Sequence, residues 1–159
     1  MDKPSHLDEA GRAKMVDISA KPETQRRARA GCRVHLGAEA AHALREGLAA
    51  KGDVAAAARL AGIQAGKRTS ELIPLCHPLR TSSIRISLDF EDETTLGILA
   101  EAAGIDRTGF EMEAIVAAAT AAMTVYDMLK ALDKAITITD LRLLEKSGGK
   151  SGHWRRPQA

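Results

Sequence analysis

Aromatic side chains are scarce in this sequence: two Phe, one Tyr and one Trp, 3% of 159 residues. Ala, Leu, Ile and Val must therefore fill the core. Small side chains suit helices that approach closely or subunits that meet. Each supplies less burial than an aromatic, so self-association would help stability. Cysteine is equally scarce. Cys32 and Cys76 cannot form a disulfide framework, and without a CxxC or HxxxH spacing they do not outline a tetrahedral metal site. No run of about 18 apolar residues is present, so no membrane span is expected. The opening stretch MDKPSHLDEAGRAK has no apolar core of the signal-peptide kind. The expectation is a cytoplasmic protein with reduced thiols. Neither sign of charge dominates: 23 Lys and Arg face 21 Asp and Glu, a net charge of +2. That balance argues against a nonspecific nucleic-acid binder. Anion recognition has to come from local clusters.

What remains is the composition of one globular domain, 45% apolar and 28% charged. The polar stretch 1–14 reads as a flexible arm, 15–152 as a single catalytic domain and 153–159 as a C-terminal tail. Short strands are expected in MVDIS (15–19) and RAGCRVHL (29–36), and a helix over 38–49. A second helical region begins near Asp53, where a carboxylate suits the helix dipole; Gly62 and Gly66 invite a division of it. In 82–91 the residues Ile84, Ile86, Leu88 and Phe90 alternate with polar ones, the mark of a half-buried strand. EDET then turns the chain into a returning strand. Thr108 precedes Glu111 by three, a capping-box spacing, and the following 22–25 residues read as one long helix. A closing strand (AITITDLRLLEK) and a Gly-rich loop or tail complete the chain. Helices interleaved with antiparallel strands give an α+β class, an antiparallel sheet with helices packed on one face.

Three constellations carry chemical interest. In LIPLCHPL (72–79), Pro74 and Pro78 stiffen the backbone around Cys76 and His77 and bias Ile73 and His77 toward extended geometry. Such rigidity suits a group that must be held in place; the plainer alternative is a loop histidine bonded to backbone. On the long helix, Asp127 and Lys130 are three apart and share a face. They are either an exposed salt bridge or, if the apolar surroundings desolvate them, an acid and a base near neutrality. Glu111 and Glu113 open the same helix, where carboxylates complement the dipole. Glu113 lies about 40° from the face of Asp127 but ~21 Å away along the axis, so one small ligand reaches both only with help from a second chain. Around them, Arg26, Lys51, Lys67, Arg68, Lys146 and Lys150 sit near glycines, helix starts or loops. KSGGKSG resembles a phosphate-cradling loop, although it is not a Walker A sequence. Together these point to a phosphorylated small molecule undergoing proton transfer.

The stretches MVDISAKPETQRRARA, KGDV, AGIQAGKRTSELIPLCHPL, TGFEMEA, TVYDMLKALDK and RLLEKSGGKSG run in order from Met15 to Gly152. As a set they resemble the MoaC family, the cyclic pyranopterin monophosphate synthases of molybdenum-cofactor biosynthesis. The resemblance implies conversion of 3′,8-cyclo-7,8-dihydro-GTP to cyclic pyranopterin monophosphate, a lyase reaction that releases pyrophosphate. It implies a ferredoxin-like fold and a homohexamer, a trimer of dimers, with the site at a subunit interface. By motif, Asp127 is the principal acid/base residue and Lys130 its partner. Leu75, Cys76 and His77 contact substrate, as do Met112 and Glu113, the latter accepting ring N–H groups. Lys51 and Lys146 are phosphate-side or catalytic lysines, joined by Arg26 and, more weakly, Lys67. No resident cofactor or metal, nucleic-acid partner or membrane partner is implied; magnesium with the triphosphate stays open. Two positions depart from the pattern: Arg107 stands where Lys is usual and Phe110 where Val is usual. The competing functional readings are a non-catalytic nucleotide-triphosphate-binding regulatory module and a structural subunit of a larger assembly.

Overall fold

The computed structural model describes residues 7, 8, 10–150 and 152–157. Period-two patterning builds its strands. In β1 (Thr24–His35), Ala28, Ala30, Cys32 and Val34 point into the core while Arg27, Arg29 and Arg33 point away from it. β2 (Thr81–Phe90) turns through residues 91–94 into β3 (Thr95–Asp106), whose Leu96, Ile98, Ala100 and Ala102 join the same core face. β4 (Thr137–Ser147) pairs with β1, and the two-residue β5 (Trp154–Arg155) pairs with β4. All pairings are antiparallel, in the order β2-β3-β1-β4-β5.

Helices cover one face of this sheet. They are α1 (Ala38–Arg45), α2 (Val54–Lys67), the single turn α3 (Thr69–Leu72) and α4 (Glu111–Leu129). The first four strands with α2 and α4 follow the β-α-β-β-α-β plan of a ferredoxin-like α+β fold. α4 buries Ala114, Ala117, Ala118, Ala121, Ala122, Val125 and Leu129 over the centre of the sheet. Among the described residues it is the one helix long and apolar enough, by length and composition, to cross a membrane; half of that stretch is buried inside the protein.

Several local expectations change. MVDIS forms no strand. Gly62 and Gly66 do not divide α2, which runs unbroken for 14 residues. Both glycines instead allow close approach. A Cβ on Gly62 would overlap Ile86 Cδ1 and lie 2.7 Å from the Ala117 carbonyl; one on Gly66 would lie 3.1 Å from the Glu113 carbonyl. α2 and α4 therefore pack almost backbone to backbone and antiparallel. The Thr108–Glu111 capping box is absent: α4 starts one residue after Phe110, with no side-chain cap, and is 19 residues long rather than 22–25. Glu111 is drawn instead to Lys146 on β4, at 2.8 Å. Asp53 does cap α2, accepting the Ala56 N–H at 2.9 Å. The bulk of Phe110 is absorbed by a glycine: its ring is fully buried, and a Cβ on Gly104 would sit 2.7 Å from Phe110 Cζ.

Of the N-terminal arm, residues 1–6 and 9 lie outside the described residues. Leu7 bridges Ala13, and the Asp8 carboxylate accepts the Ala10 and Arg12 N–H groups in the turn between them. At the other end, part of the expected Gly-rich loop or tail supplies β5.

Candidate functional site

The antiparallel packing of α2 and α4 decides where charged side chains gather, because it puts the start of α2 beside the end of α4 and the reverse. Two clusters result.

At the C-terminal end of α4, Asp127 is held by two ammonium groups. Lys130 Nζ lies 2.7 Å from Oδ1 and Lys51 Nζ 2.9 Å from Oδ2. Lys51 also donates to the Asp127 carbonyl at 2.8 Å. A cation there satisfies a free carbonyl of the last helical turn and complements the helix dipole. All three side chains are about half exposed. Hydrogen bonds and charge from Lys130, then Lys51, pull the Asp127 carboxyl down to about 2. The hydrogen bond to Asp127 pushes Lys130 up. The notion of an acid and a base both near neutrality is thus corrected for the isolated chain. Water surrounds the pair, desolvation is small, and the ion pair drives the two titrations apart.

The N-terminal end of α4 is different in kind. Here a pocket of about 340 Å³ is lined by Val16, Ile18 and Lys21 from the N-terminal segment, by residues of the 75–79 connector, and by Thr108 to Glu113. The connector is neither helix nor strand between Ile73 and Arg80, as its prolines require. A turn in which Cys76 N–H donates to the Ile73 carbonyl at 3.1 Å shapes it. His77 Nε2 donates to the Val16 carbonyl at 2.7 Å. The backbone bond of the plainer reading is real, and it places the ring on the pocket wall. Glu113 is 4% exposed and lines the same pocket. Burial, above all, pushes its carboxyl up to about 7, with the charges of Glu111 and Asp106 adding to the rise. Burial and the nearby Glu113 raise the Cys76 thiol as well.

Cations ring this second cluster. Lys146 reaches Glu111 on the pocket rim. Arg26 on β1 donates from Nε to the Asp106 carbonyl at 3.0 Å and from Nη2 to the Arg107 carbonyl at 3.2 Å. The Gly148–Gly149 pair wraps this guanidinium. Both glycines have positive φ (+97° and +71°), and a Cβ on Gly149 would overlap the guanidinium. The KSGGK segment is therefore shaped around an arginine. Lys67 ends α2 on the same side, exposed, next to the Gly66 that touches Glu113.

One chain thus brings together Leu75, Cys76, His77, Met112 and Glu113, with Arg26, Lys146 and Lys67 nearby. It separately brings together Lys51, Asp127 and Lys130. It does not unite the two groups, which sit at opposite ends of a 19-residue helix. Lys21 escaped the reading of the sequence; its position before Pro22, which favours extended backbone, was the available signal. Among the described residues, no three His, Cys, Asp or Glu side chains gather as metal ligands would.

The MoaC family profile matches residues 15–149. The chain is 56% identical over 153 residues, 96% of its length and 92% of the relative's, to a protein of Thermomicrobium roseum named cyclic pyranopterin monophosphate synthase. It is 54% identical to cyclic pyranopterin monophosphate synthase 3 of Mycobacterium tuberculosis, covering 98% of this chain and 88% of that one. It is 51% identical to a Streptomyces avermitilis protein again named cyclic pyranopterin monophosphate synthase, covering 98% and 91%. The chain belongs to the MoaC family.

Proposed function

We propose that this MoaC-family chain is a cyclic pyranopterin monophosphate synthase. It is a lyase of molybdenum-cofactor biosynthesis that converts 3′,8-cyclo-7,8-dihydro-GTP to cyclic pyranopterin monophosphate and releases pyrophosphate. The observation that carries the reading is the pocket at the start of α4. A buried carboxyl near neutrality, Glu113, faces it beside Cys76 and His77 on a proline-stiffened wall, with cations on its rim.

In this reading Glu113, ionised, accepts N–H groups of the purine and later the pterin ring. Leu75, Cys76, His77 and Met112 shape the surrounding wall. Arg26, Lys67, Lys146 and Lys51 offset phosphate charge, and backbone amides near Gly148–Gly149 add donors. Asp127 and Lys130 carry proton transfer, with His77, Lys51 and Lys146 supporting the chemistry. That role needs the water around Asp127 removed, so that desolvation offsets the ion pair. A second copy of the chain laid across the end of α4 supplies this, and the same contact closes the ~21 Å between Glu113 and Asp127. The assembly is a homohexamer built from dimers, in the cytoplasm. The proposal assigns no resident cofactor; magnesium arriving with the triphosphate belongs to the substrate.

A binding-only regulatory module has no use for Asp127 between two lysines. Incubation of the protein with the cyclised nucleotide tests the choice. Pyrophosphate and a pterin product are expected in equal amounts; neither appearing, with the protein folded and the nucleotide bound, sinks the enzyme reading.

A further inference from the structure

Asp106, the last residue of β3, has 8% of its surface exposed. It stands outside the lining of the pocket that holds Glu113. It lines instead a wider recess of about 720 Å³ on the other side of residues 15–19, together with Glu23, Arg80 and Arg107. A buried carboxylate needs partners, and its partners here are informative. Oδ2 accepts the Arg80 N–H at 2.9 Å and Oδ1 accepts the Arg107 N–H at 2.8 Å. These are charge-assisted bonds to main chain, stronger than neutral ones. Arg80 lies three residues after His77. Arg107 opens the turn that leads to Met112 and Glu113. The Asp106 carbonyl also accepts the Arg26 Nε–H. One residue therefore ties the end of the His77 connector and the start of the Glu113 turn to each other and to Arg26 on β1, from outside the pocket lining.

An outer pair of contacts braces it. Arg80 Nη2 is 2.6 Å from Glu23 Oε1, and Arg107 Nε is 3.8 Å from the same oxygen. Both arginines approach Glu23, so Asp106 keeps its main-chain bonds without a tight side-chain ion pair; Arg80 Nε stays 4.0 Å away. Burial raises the Asp106 carboxyl, but the two N–H bonds and the arginine charges outweigh it and hold it below the ordinary value.

We infer that Asp106 is a positioning residue for this site: its carboxylate clamps the His77 connector to the Glu113 turn and sets their separation. The inference rests on the pocket reading above. It adds a residue that no motif singled out, because neither its burial nor its two N–H partners can be seen in sequence. A small displacement of positioned groups costs rate steeply. Asp106 also acts on Glu113 through charge. The other groups around Glu113 are Glu111 on the same helix, Cys76 and His77 on the connector, Lys21 from the N-terminal segment, Lys67 at the end of α2, and Lys146 through Glu111.

The test compares the full-length protein with Asp106→Asn, whose amide presents an NH2 to one of the two N–H donors. Turnover of the cyclised nucleotide should fall about tenfold in kcat with a smaller change in KM. The acid limb of the pH profile should move to lower pH, since one negative charge near Glu113 is gone. An unchanged kcat and limb, even with a lower Tm, would overturn the inference. If the variant does not fold, NMR titration of the wild type decides. The Arg80 and Arg107 amide protons should shift together, with one midpoint below the usual carboxylate range; separate midpoints or no shift overturn it. Failure of the wild type to turn over the nucleotide would strike the earlier reading alone, because the NMR titration needs no substrate.

Discussion

The two ends of α4 carry acids with opposite fates. Glu113, in the first turn, is buried, has no ion pair among the described residues and titrates at about 7. Asp127, near the last turn, is half exposed, gripped by Lys130 and Lys51, and titrates at about 2. Desolvation wins at one end and counter-charge at the other. A carboxyl poised near neutrality and a carboxylate locked ionised suit different tasks, as paired acids in one active site commonly do. The buried end is a formed pocket, whereas the exposed end is a charged surface.

The comparison breaks most visibly at the exposed end. Lys130→Ala should lower turnover by about a thousandfold, within the range for a lost acid/base group. Melting temperature should stay almost unchanged, since exposed ion pairs contribute little, and nucleotide binding should persist. Steady-state kinetics beside a thermal melt reads both; a collapse of the fold with normal residual kcat would count against the role.

At the buried end, activity and stability should move in opposite directions. Glu113→Gln should cost about a hundredfold in kcat/KM, through loss of a charged acceptor. It should also stabilise the protein at alkaline pH. The folded-state value is raised from 4.5 to about 7, so between those values the folded protein binds more protons than the unfolded chain, and stability falls as pH rises through that window. The rise corresponds to on the order of 3 kcal/mol, which the amide does not lose. Denaturant unfolding at pH 5 and pH 8 checks the sign: wild type weaker at pH 8, the variant level.

His77→Ala is expected to reduce turnover about tenfold with little change in Tm. It should also free the Val16 carbonyl, so amides of residues 15–19 exchange faster with solvent. Normal activity with a clear loss of stability would return His77 to the role of a structural loop histidine.

The smallest effect concerns the packing that sets the two ends in register. Gly62→Ala forces a Cβ into Ile86 and the Ala117 carbonyl, with an expected loss of about 1–3 kcal/mol in urea unfolding. Activity should fall less than stability, because the Lys51–Asp127 contact lies about two turns away.

Much of this was legible in the sequence for identifiable reasons. The alternation Ile84–Phe90 and the Pro-free apolar stretch after Phe110 are periodic, local signals, and they gave β2 and α4. Asp53 capped as its type predicts. What stayed hidden depended on residues far apart in the chain. The Thr108–Glu111 spacing suggested a cap, but Lys146, 35 residues on, claims Glu111. Gly62 and Gly66 looked like breaks because Ile84, Ile86 and Glu113, which crowd them, are distant in sequence. Apart from Lys21, the candidate residues were named from motifs, yet their division into two clusters follows only from the antiparallel seat of α2 on α4. The half-exposed state of Lys130 could not be read from its apolar neighbours, which face the core on the opposite side of the helix.

In the proposed assembly, the buried end of one chain and the charged end of another serve one nucleotide. Mixing two inactive variants, Glu113→Gln and Asp127→Asn, after dissociation and reassembly tests it most directly. A shared site predicts that activity returns, in roughly a quarter of sites for random pairing of two kinds of subunit across a two-fold interface. If the mixed assembly forms and stays as inactive as its parents, the two ends do not meet on a common substrate.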